Sequence, residues 1–164
     1  MPGFIDITDR KSLNSLLNTL QAGTPALWGK MNAQNMIEHL VEAVEYTNGK
    51  RMAVLRFPTD KANKQREDLV NSDFVIPPGV QGYLPDATKT KRFKDLETAI
   101  QELNNELEAF EYFFKTEGIT ATHFEFGPMN YKEWIIWHGK HFTHHFKQFG
   151  LLGEDRTQNL EGRI

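Results

Sequence analysis

Four stretches of the chain place apolar residues at the three- and four-residue spacing of an amphipathic helix. They span residues 8–21, 32–47, 93–116 and 130–149. The third stretch has the longest regular apolar strip, formed by Phe93, Leu96, Ile100, Leu103, Leu107, Phe110 and Phe114. One apolar strip on each of four helices is typical of a bundle with a shared core. We therefore predict an all-α protein built as a four-helix bundle.

Polar residues suited to cap helices stand at the start of three of these stretches. Thr8 precedes the first helix, Asn32 the second and Asn130 the fourth. Asn130 and Glu133 also have the spacing of a capping box, in which two side chains each accept a hydrogen bond from the other residue's backbone amide. We expect each helix to begin at or just after its cap.

Residues 50–92 form a long crossover between the second and third main helices, and they are rich in proline and glycine. A short polar helix fits residues 60–70. We interpret this segment as a connection packed over one end of the bundle, the alternative being a lid over a site. Residues 120–129 are weakly strand-like. We predict a single domain over residues 1–152, followed by a polar tail at 153–164.

Composition excludes several classes of function. The net charge is −3 and there is no cysteine. A nucleic-acid partner usually requires a basic excess, and a disulfide framework or thiolate metal site requires cysteine. No stretch has the roughly 20 apolar residues of a membrane span, and residues 1–22 lack the apolar core of a signal peptide. We expect a cytoplasmic protein that binds neither nucleic acid nor membrane.

Four of the six histidines lie between residues 138 and 145, on the fourth predicted helix. At about 100° per residue, His138, His141 and His145 share one face, and His144 is displaced toward solvent or a partner. His138 and His145 are about 10 Å apart along the axis, which is too far for one ion. The His141/His145 pair has the i, i+4 spacing of helical metal sites, and His138/His141 is the second choice.

Two imidazoles leave a metal site incomplete, so a third ligand is expected from another helix. His39, in the middle of the second helix, is the best candidate. Taken alone, His39 also fits a packed and hydrogen-bonded histidine. Three carboxylates could replace it as the third ligand: Glu38, Glu42 and Glu133.

Other polar and aromatic residues have structural interpretations. His123 precedes Phe124 in a loop, where a structural role is favoured over ligation. Asn35 and Gln148 could orient the ligands or could simply be polar. We expect the aromatic residues of the fourth helix to form core rather than a substrate cage: Trp134, Trp137, Phe142, Phe146 and Phe149.

Three segments, QNMIEHL, HFEFGPMNYKEW and HGKHFTHHFKQFG, resemble the DinB/YfiT-like superfamily of metal-binding four-helix bundles. In that superfamily one histidine of the second helix and an H-x-x-x-H pair of the last helix hold the metal. The resemblance implies His39, His141 and His145 as ligands and zinc or nickel as the ion. Some members are thiol-dependent transferases, others are presumed hydrolases, and many are homodimers.

The expected function is that of a metal-dependent enzyme acting on a small-molecule substrate. The site would activate water or a low-molecular-weight thiol, and since the chain has no cysteine, any thiol must be a cosubstrate. His138 or Glu42 is expected to transfer the proton. The alternative is a non-catalytic metal- or ligand-binding bundle, and a third reading leaves all these histidines with purely structural roles.

Overall fold

A computed structural model describes residues 3–80 and 82–152 of the chain. Within them the backbone forms five helices and one two-stranded sheet. The helices are α1 (Arg10–Leu17), α2 (Ala33–Glu45), α3 (Thr59–Asn71), α4 (Leu96–Phe113) and α5 (Tyr131–Gln148), and the strands are β1 (Ala121–His123) and β2 (Gly127–Met129). None of these helices is both long enough and apolar enough to cross a bilayer. The predicted polar tail, 153–164, lies outside the described residues.

The starts of α2 and α5 are where their capping residues predict them. The side chain of Asn32 accepts a hydrogen bond from Asn35 N at 2.8 Å, and Asn130 accepts one from Glu133 N at 3.0 Å. In return, the side chains of Asn35 and Glu133 accept from the two cap amides. Both helices therefore begin with a full capping box, which satisfies amides that have no partner inside the helix.

Two other helices are shorter than predicted at their starts. The Thr8 hydroxyl donates to the Asp6 carboxylate, so Thr8 closes a local turn instead of capping α1. Asp9 is the cap, and it accepts from the backbone amide of Ser12. Helix α4 begins at Leu96 behind its own aspartate cap and not at residue 93. In both cases a nearby aspartate, which is a stronger cap than threonine or lysine, sets the boundary.

The core receives apolar side chains from α1, α2, α4 and α5. Its largest fully buried side chains include Leu13, Leu17, Met36, Ile37, Leu40, Leu103, Phe110, Phe142 and Phe146. A polar contact also joins the outer faces of α1 and α4, where Arg10 and Asn14 both bond to Asn104. The prediction of a mostly helical protein is confirmed.

The predicted all-α class broadly fits, with one short β-hairpin added in the segment that was expected to be weakly strand-like. Strands β1 and β2 pair antiparallel, with Ala121 opposite Met129 and His123 opposite Gly127. Gly127 has φ of 73°, in the left-handed region that glycine adopts without a steric penalty. The weak alternation of residues 120–129 is thus a real hairpin, and it leads directly into α5.

The crossover contains α3, close to the short helix expected at residues 60–70. Lys140 of α5 holds the end of this helix, because its buried ammonium group donates to the carbonyls of Leu69 and Ser72 at 2.9 and 2.8 Å. Arg66 of α3 reaches the hairpin and donates to Phe126 O at 3.1 Å. These bonds fix α3 against α5 and the hairpin.

The end of the crossover is fastened to α2 by buried carboxylates. Glu38 accepts from the backbone amides of Arg92 and Phe93 at 2.8 and 3.1 Å. About two helical turns further along α2, Glu45 forms a bidentate ion pair with the Arg92 guanidinium. Paired in this way, a buried carboxylate avoids the penalty of an isolated charge. The segment before α4 therefore lies along α2, beside His39.

Candidate metal centre

Three histidines from two helices bring their imidazole nitrogens together. His39 of α2 and His141 of α5 have Nε2 atoms 3.0 Å apart, and the Nε2 atoms of His141 and His145 are 3.2 Å apart. One nitrogen from each ring lies within 4.8 Å of the other two. Helices α2 and α5 thus bring together the three histidines that were expected to be metal ligands.

Two of the three nitrogen–nitrogen separations suit one small divalent ion. Zinc–nitrogen bonds of about 2.0–2.1 Å set two ligand nitrogens about 3.3–3.4 Å apart at a tetrahedral angle and about 2.9 Å apart at a right angle. The two measured Nε2 separations lie inside this interval. Nitrogen from neutral imidazole is a ligand for zinc, nickel, copper and iron. The residues present therefore fit a metal with three protein ligands and open positions.

The orientation of His145 is set by Gln148, one turn further along α5. The Gln148 amide nitrogen donates to Trp28 O at 3.0 Å, and since a carbonyl can only accept, Oε1 must face His145. This oxygen lies 2.8 Å from His145 Nδ1. Nδ1 therefore carries the hydrogen, and the lone pair of the neutral ring is on Nε2, toward the other two histidines.

The segment before α2 supports Gln148 in turn. Leu27 N donates to Gln148 O at 2.7 Å, next to the contact between Trp28 and the amide group. Gly29 has φ of 79°, and a Cβ atom at this position would lie 2.9 Å from Gln148 Nε2. Only a glycine both adopts this conformation readily and leaves space for the glutamine side chain. The loop between α1 and α2 thus holds the residue that orients a candidate ligand.

His141 lies at the centre of the cluster and packs against Trp137. The two rings are nearly parallel, at 14°, with centroids 5.5 Å apart. The Nδ1 atom of His141 is buried and has no hydrogen-bond partner among residues 3–80 and 82–152. A polar atom without a partner is uncommon in a protein interior. The packing, more than hydrogen bonding, fixes the plane of this ring.

Burial keeps the three imidazoles neutral. It lowers the pKa of His39 to about 4, with a smaller contribution from His144. The pKa values of His141 and His145 also lie well below the ordinary value, first because of burial and then because the rings of the cluster disfavour each other's charge. A neutral imidazole presents a lone pair, which is the form that binds metal.

The three histidines open into a cavity of about 790 Å³. This volume is within the range of sites that bind small molecules. Its walls carry several aromatic side chains: Trp28, Tyr46, Tyr83, Phe124, Trp134 and Trp137. The prediction that the aromatic residues of the last helix are core is therefore right for the buried Trp134, Phe142, Phe146 and Phe149. Trp134 also borders the cavity, and Trp137 is only partly buried and lines it.

The crossover contributes one side of this cavity. Ile76, Gly79, Val80 and residues 82–88 line it, together with Ala53 from the start of the segment. The segment thus does more than link two helices, which was the favoured interpretation of the sequence. It encloses the space in front of the histidines.

His138 and Glu42, expected to transfer protons, are not among the residues that line the described cavity. His138 is fully buried, and its Nε2 donates to Thr47 Oγ1, whose own hydrogen is given to Val44 O. Glu42 faces Arg51, with an ion-pair distance of 3.6 Å. The helical angle puts His138 on the same face of α5 as His141 and His145. His138 lies about one turn nearer the start of α5, however, and its ring packs between α2 and α4.

His144 does not face solvent, which was one of the two surroundings expected for it. It is buried, and its Nδ1 donates to Ile76 O of the crossover at 2.9 Å. The ring lies beside Trp28 and lines the cavity. The crossover covers the face of α5 that carries His144. The spacing of residues within α5 cannot predict this, because the covering segment is distant in sequence.

His123 has the structural role that was favoured for it. Its Nδ1 accepts hydrogen bonds from the backbone amides of Glu125 and Phe126, at 2.9 and 3.2 Å. Burial lowers its pKa to about 3, so the ring stays neutral and can accept both bonds. The ring stacks on Phe126 and meets the edge of Trp137. His123 thus shapes the hairpin that borders the cavity.

The other candidates for a third ligand or a supporting role are used elsewhere. Glu38 binds the crossover amides, and Glu133 caps α5 and pairs with Arg66. Asn35 completes the capping box of α2 and also donates to Ala87 O of the crossover. Only Gln148, of the two residues considered as supports, contacts a histidine of the cluster.

Residues 76–150 match a protein family described as "Protein of unknown function (DUF1569)". The matched segment is less than half of the chain. It includes His141 and His145 but not His39, which lies before it. No curated protein and no solved structure matches the chain. The resemblance to the DinB/YfiT-like superfamily therefore stays a prediction, and the shown relationship is the match of this segment to DUF1569.

Proposed function

We propose that this chain is a metal-dependent enzyme that acts on a small molecule. His39, His141 and His145 would hold one divalent ion, zinc or nickel, by their Nε2 atoms. The observation that carries the proposal is the convergence of three neutral imidazoles at the edge of a cavity with aromatic walls. When bound there, such an ion supplies Lewis acidity and lowers the pKa of a coordinated water or thiol.

The residues around the cluster have separate tasks in this proposal. Gln148 holds His145 in the tautomer that points its lone pair at the ion. Trp137 packs against His141 and holds the plane of its ring. The open side of the cavity admits a substrate whose apolar or aromatic body lies against the rings of the wall. The thiol, in a transfer reaction, is a low-molecular-weight cosubstrate.

We also propose the DinB/YfiT-like arrangement for the helices, with α1, α2, α4 and α5 as the four members of the bundle. The shared core of these helices and the long crossover between α2 and α4 support it. So does the placement of one candidate ligand on α2 and two on α5, the order found in that superfamily.

The first experiment is elemental analysis of untagged protein, purified without chelators or imidazole. We expect close to one zinc or nickel ion per chain. A His141→Ala/His145→Ala double variant should lose this metal while its circular dichroism remains helical. His123→Asn is the matched control, since His123 is buried outside the cluster, and it should keep the metal. Metal retained in the folded double variant would show that the proposed site is wrong.

A second experiment separates an enzyme from a binding protein. The metal-loaded protein is assayed for transfer of a low-molecular-weight thiol, such as bacillithiol or mycothiol, to an electrophile, and for hydrolysis without thiol. Turnover that requires the metal supports the proposal. Stoichiometric metal without turnover across varied electrophiles and esters supports the alternative, a metal- or ligand-binding protein without catalysis.

A further inference from the structure

Glu125 is a carboxylate of the cavity wall that no other part of the described structure uses. It lies in the turn between β1 and β2, is half-buried and lines the same cavity as the three histidines. Its carboxylate has neither a hydrogen bond nor an ion pair with any residue of 3–80 and 82–152. The side chain is therefore available to a molecule in the cavity.

The backbone that carries Glu125 is held in place by His123. Both Glu125 N and Phe126 N donate to the ring nitrogen of this buried histidine. The His123 ring contacts Trp137 at 4.9 Å between centroids, and Trp137 stacks on His141 at 5.5 Å. Two successive ring contacts, one edge-to-face and one stacked, thus connect the turn to a candidate metal ligand.

The other charged groups around the cavity are few. Asp86, the second carboxylate of the wall, accepts bonds from the amide and hydroxyl of Thr88 in its own turn. Lys30 is at the exposed mouth, and Lys61 of α3 acts on Glu125 electrostatically. His144 is neutral and lines the wall. Partial burial of Glu125 outweighs the nearby lysine and raises the pKa of its carboxyl.

We propose that Glu125 is the proton-transfer residue of the site, in place of His138 and Glu42. This inference rests on the proposed function. As the oxygen of water or the sulfur of a thiol forms a bond to an electrophilic carbon of the substrate, its proton passes to the Glu125 carboxylate. The bond from that carbon to the leaving group breaks, the leaving group takes the electron pair, and Glu125 returns the proton to it. A carboxylate with a raised pKa is suited to both steps.

The decisive measurement needs no substrate. The side-chain carboxyl of Glu125 is titrated by carbon-13 NMR in the metal-free protein and in the zinc-loaded protein. We expect a raised pKa without metal and a lower pKa once zinc is bound, because a cation in the same cavity favours the charged carboxylate. Glu117, exposed after α4, is the reference and should not respond to zinc. A Glu125 carboxyl that ignores bound zinc would overturn the proposal.

Two variants complete the test. Glu125→Gln should bind zinc as tightly as the wild type, and a tenfold loss of zinc affinity would instead make Glu125 a metal ligand and end the proton-transfer role. Turnover of Glu125→Gln should fall roughly 10²–10⁴-fold with partial recovery in Glu125→Asp, whereas Glu117→Gln should be unaffected. Unchanged turnover in Glu125→Gln contradicts the proposal. Absence of metal from the wild type would refute the proposed function itself, and elemental analysis detects that separately.

Discussion

The Oε1 atom of Gln148 lies 2.8 Å from Nδ1 of His145, one turn away on the same helix. Because the amide nitrogen of Gln148 is engaged by Trp28 O, this oxygen has one available orientation. The glutamine therefore selects the tautomer of His145 and turns its Nε2 toward His39 and His141. A side chain that is not itself one of the three candidate ligands thus decides whether the third nitrogen of the site is available.

Removing this support should weaken metal binding more than it weakens the fold. We predict that Gln148→Ala lowers zinc affinity by about 10–100-fold, the usual effect of losing a partner behind a ligating histidine. Zinc affinity is measured by competition with a chelating dye, and thermal unfolding is measured in parallel. Gln101→Ala, on the exposed face of α4, is the control. Equal zinc affinity in wild type and Gln148→Ala would show that His145 needs no such support.

The loop before α2 offers an independent test of the same contact. Gly29→Ala introduces a Cβ atom 2.9 Å from Gln148 Nε2, so the glutamine side chain must shift from the position in which it contacts His145. Gly118→Ala has a similar positive φ of 76° and meets nothing within 4 Å. Both variants carry the same backbone strain, and only Gly29→Ala should reduce zinc affinity. The prediction is checked by titrating both variants with zinc, and equal losses would contradict it.

His138 should matter for stability and not for metal. We predict that His138→Ala lowers the free energy of unfolding by roughly 2–4 kcal/mol, because it leaves a cavity in the core and removes the partner of Thr47. Urea denaturation measures this change, and elemental analysis of the folded variant should find the metal content of the wild type. A folded His138→Ala protein without metal would assign His138 to the site.

Acid should destabilise the protein partly through His123. Its pKa is about 3 in the folded protein and near 6.5 when exposed, so between these pH values the unfolded chain binds a proton that the folded chain does not. The contribution to stability is full above about pH 6.5 and is lost as pH falls, by up to about 1.4 kcal/mol per pH unit.

His123→Asn tests this assignment, since the asparagine oxygen can replace Nδ1 as an acceptor for Glu125 N and Phe126 N. We expect the variant to lose stability less steeply than the wild type between neutral pH and about pH 4. Urea denaturation at a series of pH values gives both slopes. Identical slopes would place the acid sensitivity in other groups.

Lys140 should stabilise the end of α3. Its ammonium group is buried and donates to Leu69 O and Ser72 O, two carbonyls at a helix terminus. Lys140→Met keeps an unbranched side chain that is one atom shorter and removes both hydrogen bonds, so we predict a loss of about 1–3 kcal/mol in the free energy of unfolding. We also expect faster hydrogen exchange of the backbone amides at the end of α3. Lys132→Met, exposed on α5, is the control and should be close to neutral.

Local features of the sequence predict most of the helical boundaries and one half of the candidate site. The starts of α2 and α5 follow from Asn32 and Asn130, because a capping box depends on residues three positions apart. The closeness of His141 and His145 follows from the pitch of one helix. The hairpin was only weakly indicated, since two three-residue strands leave little periodicity to read.

Long-range packing decided the rest. No local pattern shows that His39, 102 positions before His141, brings its Nε2 atom to 3.0 Å from that ring; the resemblance to a family suggested it. The angles around α5 predicted that His138 would lie with His141 and His145. The packing of α5 against α2 instead puts His138 beside Thr47. Gln148 is held by a loop 120 positions earlier in the chain, and the hairpin that carries Glu125 is placed beside the cluster by a ring contact with α5. Residue spacing determines which side chains share a helix face, whereas the tertiary structure determines what that face meets, because rotation and depth of packing are set by contacts between elements.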